Sequence, residues 1–164
     1  MESIIQLSCR DCAERPDRAF CDLPTSSLEV LDNIKSIVSY PRGDVLFRQG
    51  QPSRHVYILC EGRARLFVSS ETGRRMALRT ADAGEMLGQS ACLAGGLHEV
   101  SAELLEDSKV AVVKRKDLMG FLRENRDVCL HVVRMLSQDL HGAYERVRSL
   151  GLARHRRTHV ASVH

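Results

Sequence analysis

Hydrophobic and polar positions along the chain change their spacing twice. Apolar residues first recur at helical spacing at Leu28, Leu31 and Ile34, which predicts a short helix that begins at Ser26 or Ser27. In the central part of the chain the period is two, and helical spacing returns towards the C-terminus. The pattern therefore predicts a β domain with one helix before it and further helices after it.

The central region, residues 34–114, consists of short apolar runs separated by glycines. The runs lie at 45–47, 56–59, 63–68 and 110–113. The glycines are seven to twelve residues apart, at Gly43, Gly50, Gly62, Gly73 and Gly84. Short strands joined by glycine turns at this spacing predict an all-β sandwich or barrel, in which Thr72-Gly73 is the clearest hairpin turn.

The C-terminal region predicts a short helix at 116–123 and a long helix that opens near Asn125 or Asp127 and runs to Leu150. Small or apolar residues repeat every seven positions in the long helix, in two sets offset by three residues. The sets are Val133, Leu140 and Val147, and Cys129, Leu136, Ala143 and Leu150. This heptad pattern predicts the seam of a coiled coil and hence a homodimer. A single amphipathic helix lying on the β domain is the alternative.

Net charge is concentrated at the C-terminal end. The chain has 24 Lys and Arg against 21 Asp and Glu, a net charge of +3, and the excess lies in Arg154, Arg156 and Arg157. The rest of the chain is neutral overall, which argues against a domain whose whole surface binds nucleic acid. Residues 151–164 are predicted to form a disordered basic tail. Within it, His155 and His159 are four residues apart but lack the acidic neighbour of a metallohydrolase motif.

The remaining composition excludes several classes of protein. Six cysteines in 164 residues are too few for a disulfide scaffold, and the N-terminus does not resemble a signal peptide. No apolar run approaches the roughly 18 residues that a membrane span requires. We therefore expect a cytoplasmic protein with reduced thiols. No nucleophile elbow, phosphate-binding loop or pair of carboxylates is visible, so no enzymatic activity is predicted.

One segment of the β region has the composition of a ligand-binding turn. Residues 84–96 read GEMLGQSACLAGG, a glycine-bracketed turn with a short helical stretch. Backbone amides at such a turn can line an anion pocket at a helix start. A corner of any β domain also needs glycines for steric reasons, so a purely structural turn is the alternative interpretation of this segment.

These parts, in this order, resemble the sensor half of the CRP/FNR family of bacterial transcription regulators. The resemblance covers residues 20–150. It rests on the first helix, the heptad helix and the motifs at 41–50, 56–62 and 84–89. It implies a mainly β fold with helices. Residues 25–124 are expected to form a jelly-roll double-stranded β-helix of the cyclic-nucleotide-binding-like type. A dimerisation helix at 125–150 and a homodimer are also implied.

The resemblance places the family's phosphate-binding cassette at residues 84–101. The implied pocket residues are Gly84, Glu85, Gly88, Gln89, Ser90, Val100 and Ser101. Cyclic-AMP binders of this family carry a glutamate and an arginine where this chain has Gln89 and Val100. They also place small hydroxyl residues at Ala143 and Tyr144. An anionic ligand thereby loses its strongest charge-assisted contact, so we expect the pocket to be vestigial or to recognise an effector other than cyclic AMP.

Three cysteines form a group ahead of the first helix. Cys9, Cys12 and Cys21 follow a Cys-x2-Cys-x8-Cys spacing in a polar arm, residues 1–24. Two thiolates two residues apart can reach one metal ion or one edge of a cluster. Free thiols or a redox pair are the alternative, and no nearby histidine supports a zinc site.

The FNR branch of the family holds an oxygen-labile iron–sulfur cluster on an N-terminal cysteine group and one cysteine of the β roll. The resemblance therefore implies a response to redox state, oxygen or nitric oxide through the arm cysteines. The position of the β-roll ligand is Ala111 in this chain. Cys60 is preferred over Cys92 as the fourth ligand because its strand end beside Gly62 can face the arm, while Cys129 lies on the heptad seam.

Regulators of this family continue past the dimerisation helix into a DNA-reading helix-turn-helix module. This chain ends where that module would begin, so we expect no specific DNA binding from the chain alone. A truncated regulator that acts by pairing with full-length relatives is one alternative function. A small-molecule or nucleotide-binding module with structural thiols is another.

Overall fold

The computed structural model describes the backbone of residues 3–5 and 25–163, and the side chains of residues 26–152. These residues form nine strands and four helices. The strands are β1 (Ser3–Ile5), β2 (Lys35–Tyr40), β3 (Val45–Phe47), β4 (His55–Glu61), β5 (Ala64–Ser69), β6 (Arg75–Ala81), β7 (Met86–Leu87), β8 (Ser101–Leu104) and β9 (Ser108–Lys114). The helices are α1 (Thr25–Ile34), α2 (Gln89–Ala94), α3 (Arg115–Glu124) and α4 (Arg126–Val163).

The strands form two antiparallel sheets whose neighbours are far apart in sequence. The first sheet has the order β1-β2-β9-β4-β7 and the second the order β3-β8-β5-β6. β2 and β9, for example, pair continuously from Lys35 opposite Val113 to Tyr40 opposite Ser108. This interleaving confirms the predicted jelly-roll fold. Of the two β architectures that the sequence left open, the two-sheet form is right and the closed barrel is wrong.

An apolar cluster joins the inner faces of the two sheets. Tyr57 and Val112 pack against it from the first sheet. Its buried members are Phe47, Leu59, Ala64, Leu66, Ala81, Leu87, Ala102, Leu104 and Val110. We call this cluster the roll core. It contacts the segment at 84–101 through Leu87, which is a member, and through Val100, which packs against it.

The first sheet is also covered on its outer face. α3 packs on β4 and β9, and α1 packs on α3. The buried residues of this second layer are Leu28, Leu31, Val56, Ile58, Ala111, Val113, Leu118 and Phe121. Both faces of β4 and β9 are buried, so these strands are continuous apolar runs in the sequence. They could therefore be predicted from the sequence pattern.

The sequence pattern found some strands and missed others. The runs at 45–47, 56–59, 63–68 and 110–113 lie in or overlap β3, β4, β5 and β9, whereas β2, β6 and β8 were not predicted. β6 is an edge strand, and its residues Arg75, Met76 and Ala77 are exposed. A strand with an exposed face lacks the apolar run that marks a fully buried one.

The predicted glycine turns are confirmed, since all five glycines have a positive φ. Gly73, at φ 83°, lies in the hairpin between β5 and β6. Gly62 has a second requirement, because a Cβ atom there would lie 2.0 Å from the Ser108 hydroxyl oxygen. Glycine at 62 therefore serves both the turn and the close approach of the strand β9.

The chain divides into two compact units, Met1–Cys129 and Leu130–His164. α4 begins at Arg126, between the two predicted start positions, and its backbone is helical as far as Val163. The prediction of a disordered tail over 151–164 differs from this, because helical backbone continues beyond Leu150, where the apolar pattern ends. Among the described residues, no helix is long and apolar enough to cross a membrane.

Candidate functional site

The segment at 84–101 forms a corner between β6 and β8. β7 is followed by Gly88, whose φ is 78°, and α2 then runs to Gly95, whose φ is 70°. The predicted turn and short helical stretch are therefore present. Gln89 and Cys92 of α2 are buried. We call residues 84–101 the cassette.

Contacts from two other parts of the unit hold the cassette. The Arg115 Nε atom, at the start of α3, donates to the Cys92 carbonyl at 2.7 Å. On the opposite side the His98 amide donates to the Gln51 carbonyl at 2.9 Å, and the Gly50 amide donates to the His98 carbonyl at 2.8 Å. The cassette is thus tied both to the helical layer and to the loop between β3 and β4.

His98 of the cassette takes part in a stack of aromatic rings with Phe47 and Tyr57. The His98 ring is 4.2 Å from the Phe47 ring, nearly parallel to it, and the Phe47 ring is 5.3 Å from that of Tyr57. A Cβ atom on Gly88 would contact all three rings at 3.4 to 3.6 Å. His98 is only 5 % exposed, and this burial lowers the pKa of its imidazole, against the smaller raising effect of Glu99.

The predicted polar residues of the cassette already have partners within the chain. Glu85 pairs with Arg79 at 2.8 Å and accepts the Asp82 amide. Ser90 donates to Glu99 at 3.1 Å. The Ser101 hydroxyl oxygen accepts the Gln49 amide at 2.9 Å.

Val100 has a different environment from these polar residues. It is half-buried and packs against the roll core. It therefore presents a hydrocarbon surface at the position where the family resemblance implies an arginine. Gln89 is buried and has a polar partner of its own.

Sequence comparison matches residues 37–125 to the cyclic nucleotide-binding domain. The match covers more than half of the chain. The chain belongs to the cyclic nucleotide-binding domain family. The jelly roll and the position of the cassette within it agree with this membership.

Curated relatives of this family member are transcription regulators. The chain is 28 % identical over 104 residues to the "Cyclic AMP receptor protein" of Thermus thermophilus, covering 63 % of this chain and 48 % of the relative. It is 29 % identical over 140 residues to the "Transcriptional activator protein Anr" of Pseudomonas protegens, covering 82 % and 55 %. The chain spans about half the length of these relatives.

Solved structures share the fold of this cyclic nucleotide-binding domain. The catabolite activator protein of Thermus thermophilus superposes with a TM-score of 0.73 at 24 % identity, over 81 % of this chain and 62 % of that one. The sensor domain of the regulator DNR from Pseudomonas aeruginosa superposes with a TM-score of 0.64 at 20 % identity, over 77 % and 85 %.

Three cysteines, Cys60, Cys92 and Cys129, lie in the described part of the chain, where Cys92 is buried and the other two are half-buried. The arm cysteines Cys9, Cys12 and Cys21 lie outside the described residues. Cys60 lies at an irregularity in the pairing of β4 with β9, and its thiol is 3.7 Å from the Ile58 carbonyl oxygen. Within the described part of the chain, no group of three or more His, Cys, Asp or Glu residues could hold a metal ion.

The position implied for the β-roll ligand lies on β9, which β2 separates from β1 in the first sheet. Ala111 is fully buried and shares a row of the first sheet with Ile37 and Ile5, the last residue of β1. Cys60 lies on β4, three strand spacings or about 14 Å from β1. The residue at the implied position thus has only a methyl group, and Cys60 lies on the neighbouring strand, two residues beyond Ile58, which pairs with Ala111.

The predicted seam of α4 is largely exposed in the second unit. Val133, Leu140, Val147 and Leu150 are each more than half exposed, and Val147 reaches 68 %. Leu136 and Ala143 are half-buried. An apolar stripe of this size is unusual on the surface of a single helix.

Some residues of the site were not found from the sequence. The ring stack consists of Phe47, Tyr57 and His98. Arg79 forms the ion pair with Glu85, and Arg115 forms the hydrogen bond to α2. Each of these residues lies on a different element from its partner. The contact therefore cannot be predicted from the spacing of residues within one segment. A groove of about 340 Å³ at the far end of the first sheet contains none of the predicted site residues; its lining is Ser39, Tyr40, Pro41, Glu61, Asp107, Ser108 and Lys109.

Proposed function

We propose that this chain is the effector-sensing and dimerisation part of a CRP/FNR-type transcription regulator. Membership of the cyclic nucleotide-binding domain family supports this proposal, as do the names of its curated relatives, which are regulators and not enzymes. The relatives are about twice as long as the matched region, so the reading of DNA is assigned to the whole regulator and not to this chain.

The effector of this sensor is not cyclic AMP. Val100 is the observation that carries this part of the proposal, because it offers no charge to a phosphate and packs on the roll core. The remaining polar groups of the cassette are engaged by other residues of the chain, as Glu85 is by Arg79. A phosphate placed here would lose water without gaining a charged partner, which disfavours binding.

Isothermal titration of cyclic AMP into the purified chain tests this assignment. We expect no binding in the micromolar range, while a cyclic-AMP-binding relative titrated under the same conditions serves as the positive control. Micromolar or tighter binding by this chain would refute the proposal. Cyclic GMP in a parallel titration distinguishes loss of phosphate recognition from a change in base preference.

Dimerisation is proposed to use α4. Its half-exposed apolar stripe follows a heptad spacing over residues 129–150, and a second copy of the same helix covers such a stripe by matching it residue for residue. Pairing with the same helix of a full-length relative uses the same chemistry. Action by pairing with a full-length relative is therefore the second candidate for the biological role.

The arm cysteines are proposed to provide the response to redox state, oxygen or nitric oxide. The described residues do not fit the cluster site that the resemblance implies, because Ala111 is fully buried and has no ligand atom. A cluster or metal ion would therefore be held mainly by Cys9, Cys12 and Cys21. A small-molecule module with structural thiols is the alternative if these residues hold none.

A further inference from the structure

Three neighbouring strands of the first sheet meet at one groove. The groove is lined by the end of β2, the end of β4 and the start of β9, at residues 39–41, 61 and 107–109. Its volume is about 340 Å³, which lies within the range of about 300 to 1,000 Å³ for small-molecule sites. None of these lining residues belongs to the cassette. We call this feature the strand-end groove.

Backbone pairing and the roll core fix much of the wall of the strand-end groove. Ser39 pairs with Lys109, and Tyr40 pairs with Ser108, in the continuous ladder between β2 and β9. Tyr40 packs against the roll core, and Ser108 is only 4 % exposed. This part of the wall is therefore preformed, so a ligand binds against it without the cost of ordering a loop.

Three charged side chains line the strand-end groove. Lys109 is opposite Glu61 in the sheet, and its Nζ atom lies 3.5 Å from Glu61 Oε2. Asp107 directly precedes β9, and its Oδ1 atom accepts the Arg42 amide at 2.9 Å. The lining thus contains two carboxylates and one ammonium group, an excess of one negative charge.

The contacts within the chain use only part of the binding capacity of these charged groups. Charge-assisted bonds between nitrogen and oxygen are about 2.7 to 2.9 Å long, so the pair of Lys109 and Glu61, at 3.5 Å, is loose. Their side chains are 34 % and 56 % exposed, and exposed ion pairs contribute little to stability. A ligand can therefore separate this pair at small cost. The Asp107 carboxylate can accept further hydrogen bonds besides that of the Arg42 amide.

This set of charges matches a small zwitterion. A ligand ammonium group has two carboxylates to bind, at Asp107 and Glu61, and a ligand carboxylate has the Lys109 ammonium group. A monoanion would face the excess negative charge, and a monocation would lie beside the positive charge of Lys109 with nothing to offset it. Tyr40 and Pro41 add apolar ring surface to the same groove.

We propose that the strand-end groove is a second ligand site of this domain, and that its ligand is a free α-amino acid with an apolar side chain. Asp107 and Glu61 bind the α-ammonium group, and Lys109 binds the carboxylate. The side chain lies against Tyr40 and Pro41. This goes beyond the proposed function, because the site is separate from the cassette and does not depend on which effector the cassette recognises.

Titration of L-phenylalanine into the full chain, followed by amide chemical shifts, tests the site. We expect saturable shifts at residues 39–40, 61–62 and 107–109, with a Kd of about 1 mM or tighter. 2-Phenylethylamine and 3-phenylpropionate each lack one of the two charges. Both should bind about tenfold or more weakly than L-phenylalanine. Glycine, which has no side chain to contact the two rings, should also bind more weakly.

Two variants test the charged groups separately. Asp107→Asn removes a charge but keeps an oxygen that can accept the Arg42 amide. Lys109→Met removes the ammonium group and keeps most of the aliphatic side chain. Each should lower the affinity for L-phenylalanine by about tenfold or more. Lys116→Met is the matched control, because Lys116 is exposed and lies outside the groove, and it should leave the affinity unchanged.

Three results would overturn the proposal. They are no shifts at these amides with L-phenylalanine at about 10 mM, equal affinity for 2-phenylethylamine, or unchanged affinity in both groove variants. If Lys109→Met does not fold, Asp107→Asn and the two single-charge analogues decide the question. The titration contains no cyclic nucleotide, metal or DNA. Its failure is therefore distinguishable from a failure of the proposed function, which the cyclic-AMP titration tests.

Discussion

His98 shows how the cassette depends on one buried ring. Its imidazole stacks on Phe47 and both of its backbone polar groups are bonded to the loop at 50–51. The sequence did not single it out, because a lone histidine in a glycine-rich loop has no pattern of its own. Its burial makes the protonated form unfavourable in the folded state.

Stability of the β-roll unit should therefore fall as the pH is lowered. The pKa of His98 lies below its ordinary value of 6.5 in the folded state. Below that value an unfolded chain binds a proton that the folded chain does not, so the free energy of unfolding decreases until the folded pKa is reached. We expect His98→Phe, which keeps the ring stack, to flatten this decrease in urea unfolding between about pH 7.5 and about pH 5.5.

His55 needs its own control in that experiment. Burial, with smaller effects of Lys114 and Arg54, also lowers the pKa of His55. His55→Gln should therefore remove a separate part of the decrease, and the double variant should remove both. An unchanged pH profile in His98→Phe would mean that the ring is protonated without cost.

Gly62 is the residue at which a methyl group should be least tolerated. Gly62→Ala would place Cβ 2.0 Å from the Ser108 hydroxyl oxygen, at a φ of 111°. We expect a loss of more than about 1 kcal/mol in the free energy of unfolding, from strain and overlap together. Gly43→Ala is the matched control, because its φ is also positive, at 91°, but nothing lies within 4 Å of the added Cβ.

Chemical denaturation of both variants separates the two causes. Gly43→Ala reports the backbone strain, and the excess loss in Gly62→Ala reports the overlap with Ser108. Adding Ser108→Gly to Gly62→Ala should recover part of that excess. Equal losses in the two single variants would show that the approach of β9 to this turn is easily relaxed.

The helix α4 presents an apolar stripe that its own unit leaves exposed. Leu136→Glu and Leu140→Glu place charges on this stripe, and we expect each to convert a dimer to a monomer in sedimentation velocity. Arg134→Glu is the control, since Arg134 is exposed and lies off the seam. A wild-type chain that sediments as a monomer would contradict the proposed pairing.

Metal content is a property of the whole molecule, because the arm and the β roll must come together to hold a shared ion. Anaerobic purification followed by iron, sulfide and zinc analysis should give metal in wild type and a loss of it in Cys9→Ser with Cys12→Ser. Cys60→Ser tests the β-roll contribution. We expect it to have the smaller effect, because in the described part of the chain Cys60 belongs to no group of ligands that could hold a metal ion.

Equal metal content in wild type and in the Cys9→Ser, Cys12→Ser variant would end the cluster hypothesis. Metal that is retained in the arm variant but lost in Cys60→Ser would place the site in the β roll instead. Absence of metal from all three proteins would favour the small-molecule module with structural thiols.

Much of the architecture was predictable because the burial of an element determines which residue types occur along it. Fully buried strands such as β4 and β9 read as apolar runs, and turns that need a positive φ, such as that at Gly73, contain glycine. The edge strand β6 has no apolar run, since three of its seven residues are exposed. The helical backbone beyond Leu150 was likewise not predicted, because the apolar repeat that marked α4 ends there.

The candidate site divides along the same line. Gly88 and the helical stretch after it were predictable from a few neighbouring residues. The contacts that fill the site were not, since Arg115 reaches the Cys92 carbonyl across twenty-three positions and His98 reaches the Phe47 ring across fifty-one.

The sequence by itself determined the order of helix, β roll and long helix, the turns, and the absence of an arginine at Val100. Periodicity and glycine placement are consequences of local backbone geometry and of which side of an element is buried. Only the tertiary structure decided that the sheets stay separate, that the His98 ring stacks on Phe47 and that Ser27 meets Asn125. Those contacts depend on which elements become neighbours in the fold. The residue pattern of one segment does not determine which other segment packs against it.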